Sequence, residues 1–232
     1  QGLSGCACGL VGMSFWAWTV DPRLAAVLAT AGALTGQLIA AFTVRRGFNK
    51  ALLMPFVVGG LIGVPLGVWL LPMLNIRVFK ACLGTLLVLW CPAMLMSRKL
   101  PRVTAGGRWA DAVAGWLGGV CGGIGGFAGA VPTLWGTLRG MGKGVQRAVV
   151  QNFNLTMLSV AFALQLGTGL VTSDMLPLIA MVAVCVLVPV LLGARLYIGI
   201  SEANFRKIVL GLLTASGVAL LASSLPVLLR NL

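Results

Sequence analysis

Long unbroken apolar runs limit what this chain can fold into. The stretches 24–44, 51–71, 78–97, 145–170, 174–198 and 205–228 are six such runs. Each is near the length of about 20 residues that a helix needs to cross a hydrocarbon core. Segments 1–20 and 109–138 are also apolar but are broken by glycine. Strands of a membrane barrel would alternate apolar and polar residues, and these runs do not. A soluble domain carries about 25% charged residues; here charged residues make up 9% and hydrophobic ones 59%. Residues 1–232 are therefore expected to form one transmembrane domain in a lipid bilayer, with no room for a soluble companion.

The formal net charge of +13, without a single histidine, raises nucleic-acid binding as a first idea. The basic residues, however, sit in short loops between the runs. There they act as topology signals, because Lys and Arg collect on the cytoplasmic side, and no nucleic-acid partner is expected. The only acids are Asp21, Asp111, Asp174 and Glu202, all at span ends. Paired carboxylates, a histidine base and clustered metal ligands are lacking, which argues against an enzyme, a cofactor or a divalent-cation carrier. The six cysteines lie in apolar segments, and the close pair Cys6 and Cys8 would point apart on a helix. Small buried thiols in helix packing are the expectation for them.

An internal repeat organises the chain. Gly5-x-x-x-Gly9-x-x-Gly12 recurs as Gly122-x-x-x-Gly126-x-x-Gly129, at an offset of 117. Each motif is followed by a long span, then by a span starting near a proline (Pro55, Pro177), with a second proline ten or twelve residues on (Pro65, Pro189). Val78-Phe79-Lys80 and Asn204-Phe205-Arg206 then open the last span of each half. Subtracting the offset of 117 from residue 109 gives a position before Gln1, so the first arm of the first repeat is expected to be short here. GxxxG spacing alone signals close helix packing. Gly118, Gly119, Gly122, Gly123, Gly125, Gly126 and Gly129, followed by Pro132, are expected instead to interrupt the backbone, since each glycine costs a helix about 1 kcal/mol relative to alanine. Interrupted backbone at membrane depth survives only inside protein or along a cavity.

Charge counting selects a geometry for 109–138. If it crosses once, eight basic residues lie on one side and nine on the other. If it turns back at its glycines, thirteen lie on one side and four (Arg23, Arg77, Lys80 and Arg230) on the other. The second arrangement obeys the positive-inside rule. The expected fold is thus an all-α membrane protein of two inverted repeats of four hydrophobic segments each, with a glycine-broken, hairpin-like first segment in each. Repeat one is 1–97, a cytoplasmic linker is 98–108 and repeat two is 109–232. Inverted repeats are the plan of many secondary transporters, with the site near the midplane.

Several stretches together resemble the sulfite exporter TauE/SafE family of membrane permeases. They are the glycine motif in both halves, Arg45-Arg46-Gly47-Phe48-Asn49 after the second segment, Arg139-Gly140 and Arg147-Ala148 after the second motif, and Gly193-Ala194-Arg195-Leu196 followed by Phe205 to Leu213. The resemblance covers nearly the whole chain. It implies a multi-pass protein of the bacterial inner membrane that moves sulfite, thiosulfate, sulfonates or related organic anions. Met13-Ser14-Phe15-Trp16 follows Gly12 where family members tend to continue with glycines, a departure expected to narrow the pocket or to suit a less polar substrate.

An anion site needs neither metal nor carboxylate, because N–H groups at broken helix ends carry partial positive charge. Gly9 and Gly12 with Met13, and Gly126 and Gly129 with Pro132, are the candidate backbone sites. Gln151, Asn152 and Asn154 are the candidate side-chain donors; their alternative role is interhelical hydrogen bonding. Trp135 is the one tryptophan expected to line the site, whereas Trp16, Trp18, Trp69, Trp109 and Trp116 read as interfacial anchors. Arg147 is either a topology charge or an entry-side anion contact. A coupling cation or proton and a homo-oligomeric assembly are further partners that this plan admits. A non-transporting membrane receptor or assembly partner that keeps the permease fold is the alternative function.

Overall fold

A computed structural model describes residues 20–43, 47, 49–96, 106–195, 210–211 and 213–223, within which every regular element is helical. The helices are α1 (Pro22–Thr43), α2 (Lys50–Leu70), α3 (Ile76–Met96), α4 (Gly107–Gly125), α5 (Ala130–Leu138), α6 (Lys143–Gly167) and α7 (Leu176–Arg195). A further apolar helix, α8, is Leu213–Ser223. Pro22–Phe42, Lys50–Met73 and Gly144–Gly167 are long and apolar enough to cross a membrane. Val78–Met94, Ser173–Leu187 and α8 are shorter apolar helices among the described residues. Segment 1–19, including Gly9, Gly12 and Met13, lies outside the described residues.

Local chemistry sets several helix starts. Asp21 accepts from the Arg23 amide at 2.9 Å and caps α1, while Asn49 accepts from the Leu52 amide and caps α2. The outer side of α2 exposes Met54, Val58, Leu61, Ile62, Leu66 and Trp69. A continuous apolar stripe of this kind suits lipid, whereas water would drive it under cover. Its inner side is a glycine track. Gly59, Gly63 and Gly67 lie against the α4 backbone at Ala112, Trp116 and Val120, and Gly115, Gly119 and Gly123 of α4 lie against α2 at Phe56, Gly60 and Val64. The contacts advance together along both helices, so α2 and α4 run parallel and touch backbone to backbone. Most of the clustered glycines of 109–138 therefore pack a continuous helix rather than break it. Gly115, Gly119 and Gly123 face α2, and Gly118 and Gly122 face α5. Only Gly126–Gly129 interrupts the helix.

Contacts also fix the other directions. Phe56 meets Phe153 edge-on with ring centroids 6.4 Å apart, and Gly60 lies against Met157, so α2 and α6 are parallel. The Asn152 amide donates to the Gly47 carbonyl at 3.3 Å, and that of Gln165 to Thr30 Oγ1 at 3.3 Å, so α1 is antiparallel to α6. Gly84 meets Leu221 and Gly217 meets Leu87, so α3 is antiparallel to α8. The starts of α2, α4 and α6 share one face with Lys50, Arg108 and Lys143. The opposite face holds Asp21 and Arg23, whose guanidinium donates to the Pro72 carbonyl at 3.1 Å. Two apolar clusters fill the interior: one joins Ala25, Ala29, Phe79, Leu87, Trp90 and Phe127, the other Phe56, Val64, Val149, Phe153 and Met157. Cysteine packing is mixed, since Cys91 is buried and Cys121 partly so, whereas Cys82 and Cys185 are exposed on the apolar exterior.

Candidate functional site

The chain reverses at Gly126–Gly129. Gly126 has φ 72°, a left-handed conformation that L side chains rarely adopt, and its amide donates to the Gly122 carbonyl at 2.9 Å to cap α4. Helix α5 starts four residues later and folds back along α4, with Ala128 and Pro132 against Gly118 and Gly122. A nine-residue helix is too short to be stable alone in water, and side chains from three helices hold it. Trp90 of α3 donates to the Ala130 carbonyl at 2.9 Å. Gln146 of α6 donates to the Thr133 carbonyl at 2.7 Å and to Thr137 Oγ1 at 2.9 Å. Asp111 of α4 accepts from Trp135 Nε1 at 2.8 Å and forms an ion pair with Arg139.

That last cluster closes the mouth of the hairpin. Asp111 is 1% exposed and Arg139 keeps 27% of its side chain exposed. A carboxylate withdrawn this far from water needs its partners, and here each oxygen has one: Trp135 holds Oδ1 and Arg139 holds Oδ2. Residues 111 and 139 meet because 109–138 enters and leaves on the same side, as the returning arrangement requires.

The turn itself sits between α1 and α6. A Cβ on Gly126 would stand 2.9 Å from the amide nitrogen of Thr30, and one on Gly129 would run into the Asn154 carboxamide. Thr30 lies about 12 Å along α1 from Pro22, and Asn154 about 17 Å along α6 from Lys143, at about 1.5 Å per residue. Both positions are well inside a hydrocarbon core of about 30 Å. The C-terminal end of α4 thus abuts the α1 backbone, and the start of α5 lies beside Asn154, with the Ala130 amide donating to the Phe127 carbonyl at 3.2 Å. Pro132, in the first turn of α5, sacrifices no intrahelical bond.

The residues singled out from sequence are distributed as follows. Gly126, Gly129 and Asn154 come together at the turn. Gln151 and Asn154 are both buried on one side of α6, as spacing of three residues implies. Asn152 turns away toward Gly47, and Pro132 packs on Gly118. The indole N–H of Trp135 goes to Asp111 at the mouth rather than to the turn. Two further polar side chains take roles that their sequence positions do not signal. Gln165 is 0% exposed and bonded to Thr30, and it is the one amide in the second half of the run 145–170. Asp111 is the lone acid of 109–138, and its burial was masked by a position four residues from the helix start. Groups of three or more metal-ligating side chains are absent among the described residues.

Neither curated proteins nor solved structures gave a match to this chain. The family model described as "Sulfite exporter TauE/SafE" matches residues 1–220. With nearly its whole length covered by the model of a membrane transporter family, the chain belongs to the sulfite exporter TauE/SafE family.

Proposed function

We propose that this protein is a secondary permease for small sulfur-containing or organic anions, of the sulfite, thiosulfate or sulfonate type, working by alternating access in the bacterial inner membrane. The observation that carries the reading is the broken segment α4–α5. The start of α5 brings the positive end of its dipole beside the Asn154 carboxamide, well inside the span of the neighbouring helices. Neutral donors bind an anion reversibly, whereas a buried guanidinium would hold it. The one buried Arg–Asp pair among the described residues, at the hairpin mouth, is neutralised internally.

Two inverted halves, 1–97 and 109–232, supply the moving parts. The opposed directions of α1 and α6 and of α3 and α8, counterparts in the repeat, support that reading. The face carrying Lys50, Arg108 and Lys143 is the cytoplasmic one under the positive-inside rule. In the first half, Gly9, Gly12 and Met13 would form the matching break. Gln151 lies one turn from Asn154 and completes the amide face.

The test is a thermal-stability titration of purified protein with sulfite, sulfate, thiosulfate and small sulfonates. At least one anion is expected to raise the melting temperature saturably. Asn154→Ala is expected to weaken that binding by about 1–3 kcal/mol, the cost of a buried hydrogen bond left unmade, and Asn152→Ala to leave it unchanged. Equal loss in both variants, or no response to any anion, would contradict the site. Binding without flux in liposomes would favour the receptor alternative.

A further inference from the structure

The broken segment has a second end. Helix α4 finishes at the turn with one cap bond, from Gly126 to the Gly122 carbonyl. The carbonyls of Gly123, Ile124 and Gly125 lie beyond that bond, at the negative end of the helix dipole. Gly126 presses this end directly onto Thr30 of α1. Thr30 Oγ1 in turn accepts from Gln165 Nε2 at 3.3 Å, and both side chains are 0% exposed. The other amide atom of Gln165, Oε1, is buried and has no hydrogen-bond partner. Thr30 is thus shared: its backbone bears the C-terminal end of α4, and its hydroxyl meets the buried Gln165 amide whose Oε1 is unpartnered.

A buried acceptor without a donor is unfavourable in an apolar interior. It is satisfied by a cation. All the oxygens in this corner are neutral, whereas divalent sites recruit carboxylates. The nearest carboxylate of the hairpin, Asp111, is engaged at its mouth by Trp135 and Arg139. We infer that the corner between the α4 C-terminus, Thr30 and Gln165 binds a monovalent alkali cation. The two ends of one broken segment then serve opposite charges: the positive end of the α5 dipole takes the anion and the negative end of the α4 dipole takes the cation. Transporters with interrupted helices divide the work in this way. The coupling role of the cation rests on the permease reading above; the cation site itself does not.

The experiment is a melting-temperature titration of the purified full chain with sodium chloride, potassium chloride and choline chloride. Total chloride is held constant and sulfur-containing anions are absent. Sodium or potassium is expected to stabilise saturably relative to choline. Gln165→Met, which keeps the length of the side chain but removes the amide oxygen, is expected to raise the half-saturating concentration at least ten-fold while melting near wild type in choline. Thr30→Val is expected to do the same and carries the test if the methionine variant does not fold. Identical melting of wild type in all three salts overturns the inference, as does a Gln165→Met protein that responds like wild type. Failure of the permease reading looks different: the alkali-cation response persists while no sulfur anion stabilises the protein and no flux is seen.

Discussion

Asp111 illustrates how the meaning of a charged residue depends on what folds back over it. By position it is a carboxylate near a helix start, where negative charge is welcome and water is near. The returning α5 removes the water and supplies Trp135 and Arg139 in its place. Removing one member of a buried pair typically costs about 3–5 kcal/mol, and the partial exposure of Arg139 argues for the lower end. Asp111→Asn is therefore expected to lower the stability of the purified protein by about 3 kcal/mol. Arg108→Gln, in the exposed first turn, is expected to change it by less than about 0.5 kcal/mol. Thermal unfolding in detergent measures both, and equal effects would show that the pair is not holding the hairpin. The sequence contained the two charges but not their meeting, because residues 28 apart in sequence come together only once the turn is placed. Gln165 was illegible for a related reason: an amide in an apolar run acquires a role only when the facing helix supplies Thr30.

At the level of helices, the glycine pattern was legible as a class of contact and misassigned in detail. Glycines spaced four apart mark surfaces where backbones approach, and α2 and α4 use two such tracks against each other. From sequence alone, a packing glycine and a helix-breaking glycine look the same; what separates them is whether a partner helix covers the track. The partner track, Gly59-Gly63-Gly67, lay in a different half of the chain. The consequence is a sign reversal. Glycine to alanine inside a helix normally stabilises it by about 1 kcal/mol, but a methyl on Gly63 would collide with the Trp116 carbonyl oxygen of α4. Gly63→Ala is expected to lower the melting temperature. Gly144→Ala, at a helical position with open space around it, is expected to leave it unchanged or raise it. Stabilisation by Gly63→Ala would mean that α2 and α4 are not in backbone contact.

Taken as a whole, the molecule matches the membrane reading where that reading depended on long apolar runs. Three of the described helices are long and apolar enough to span, and the starts of α2, α4 and α6 gather on one face. The number of spanning elements was less legible, because 109–138 holds enough apolar residues to cross once and only its charges indicated a return. Topology is directly testable with single cysteines in a cysteine-free background. Positions 47, 106 and 143 are expected to be labelled by an impermeant reagent from the cytoplasmic side, and positions 21 and 173 from the other. Labelling of 106 and 143 from opposite sides would contradict the hairpin. The central claim is that anions cross this protein through the turn at Gly126–Gly129. Its most direct measurement is uptake of radiolabelled sulfite into proteoliposomes, comparing wild type with Gly129→Leu at matched levels of folded protein. Saturable uptake by wild type that is lost in the leucine variant is the predicted result; unchanged uptake by a well-folded Gly129→Leu protein, or no uptake of sulfite, thiosulfate or sulfonates by wild type, would contradict it.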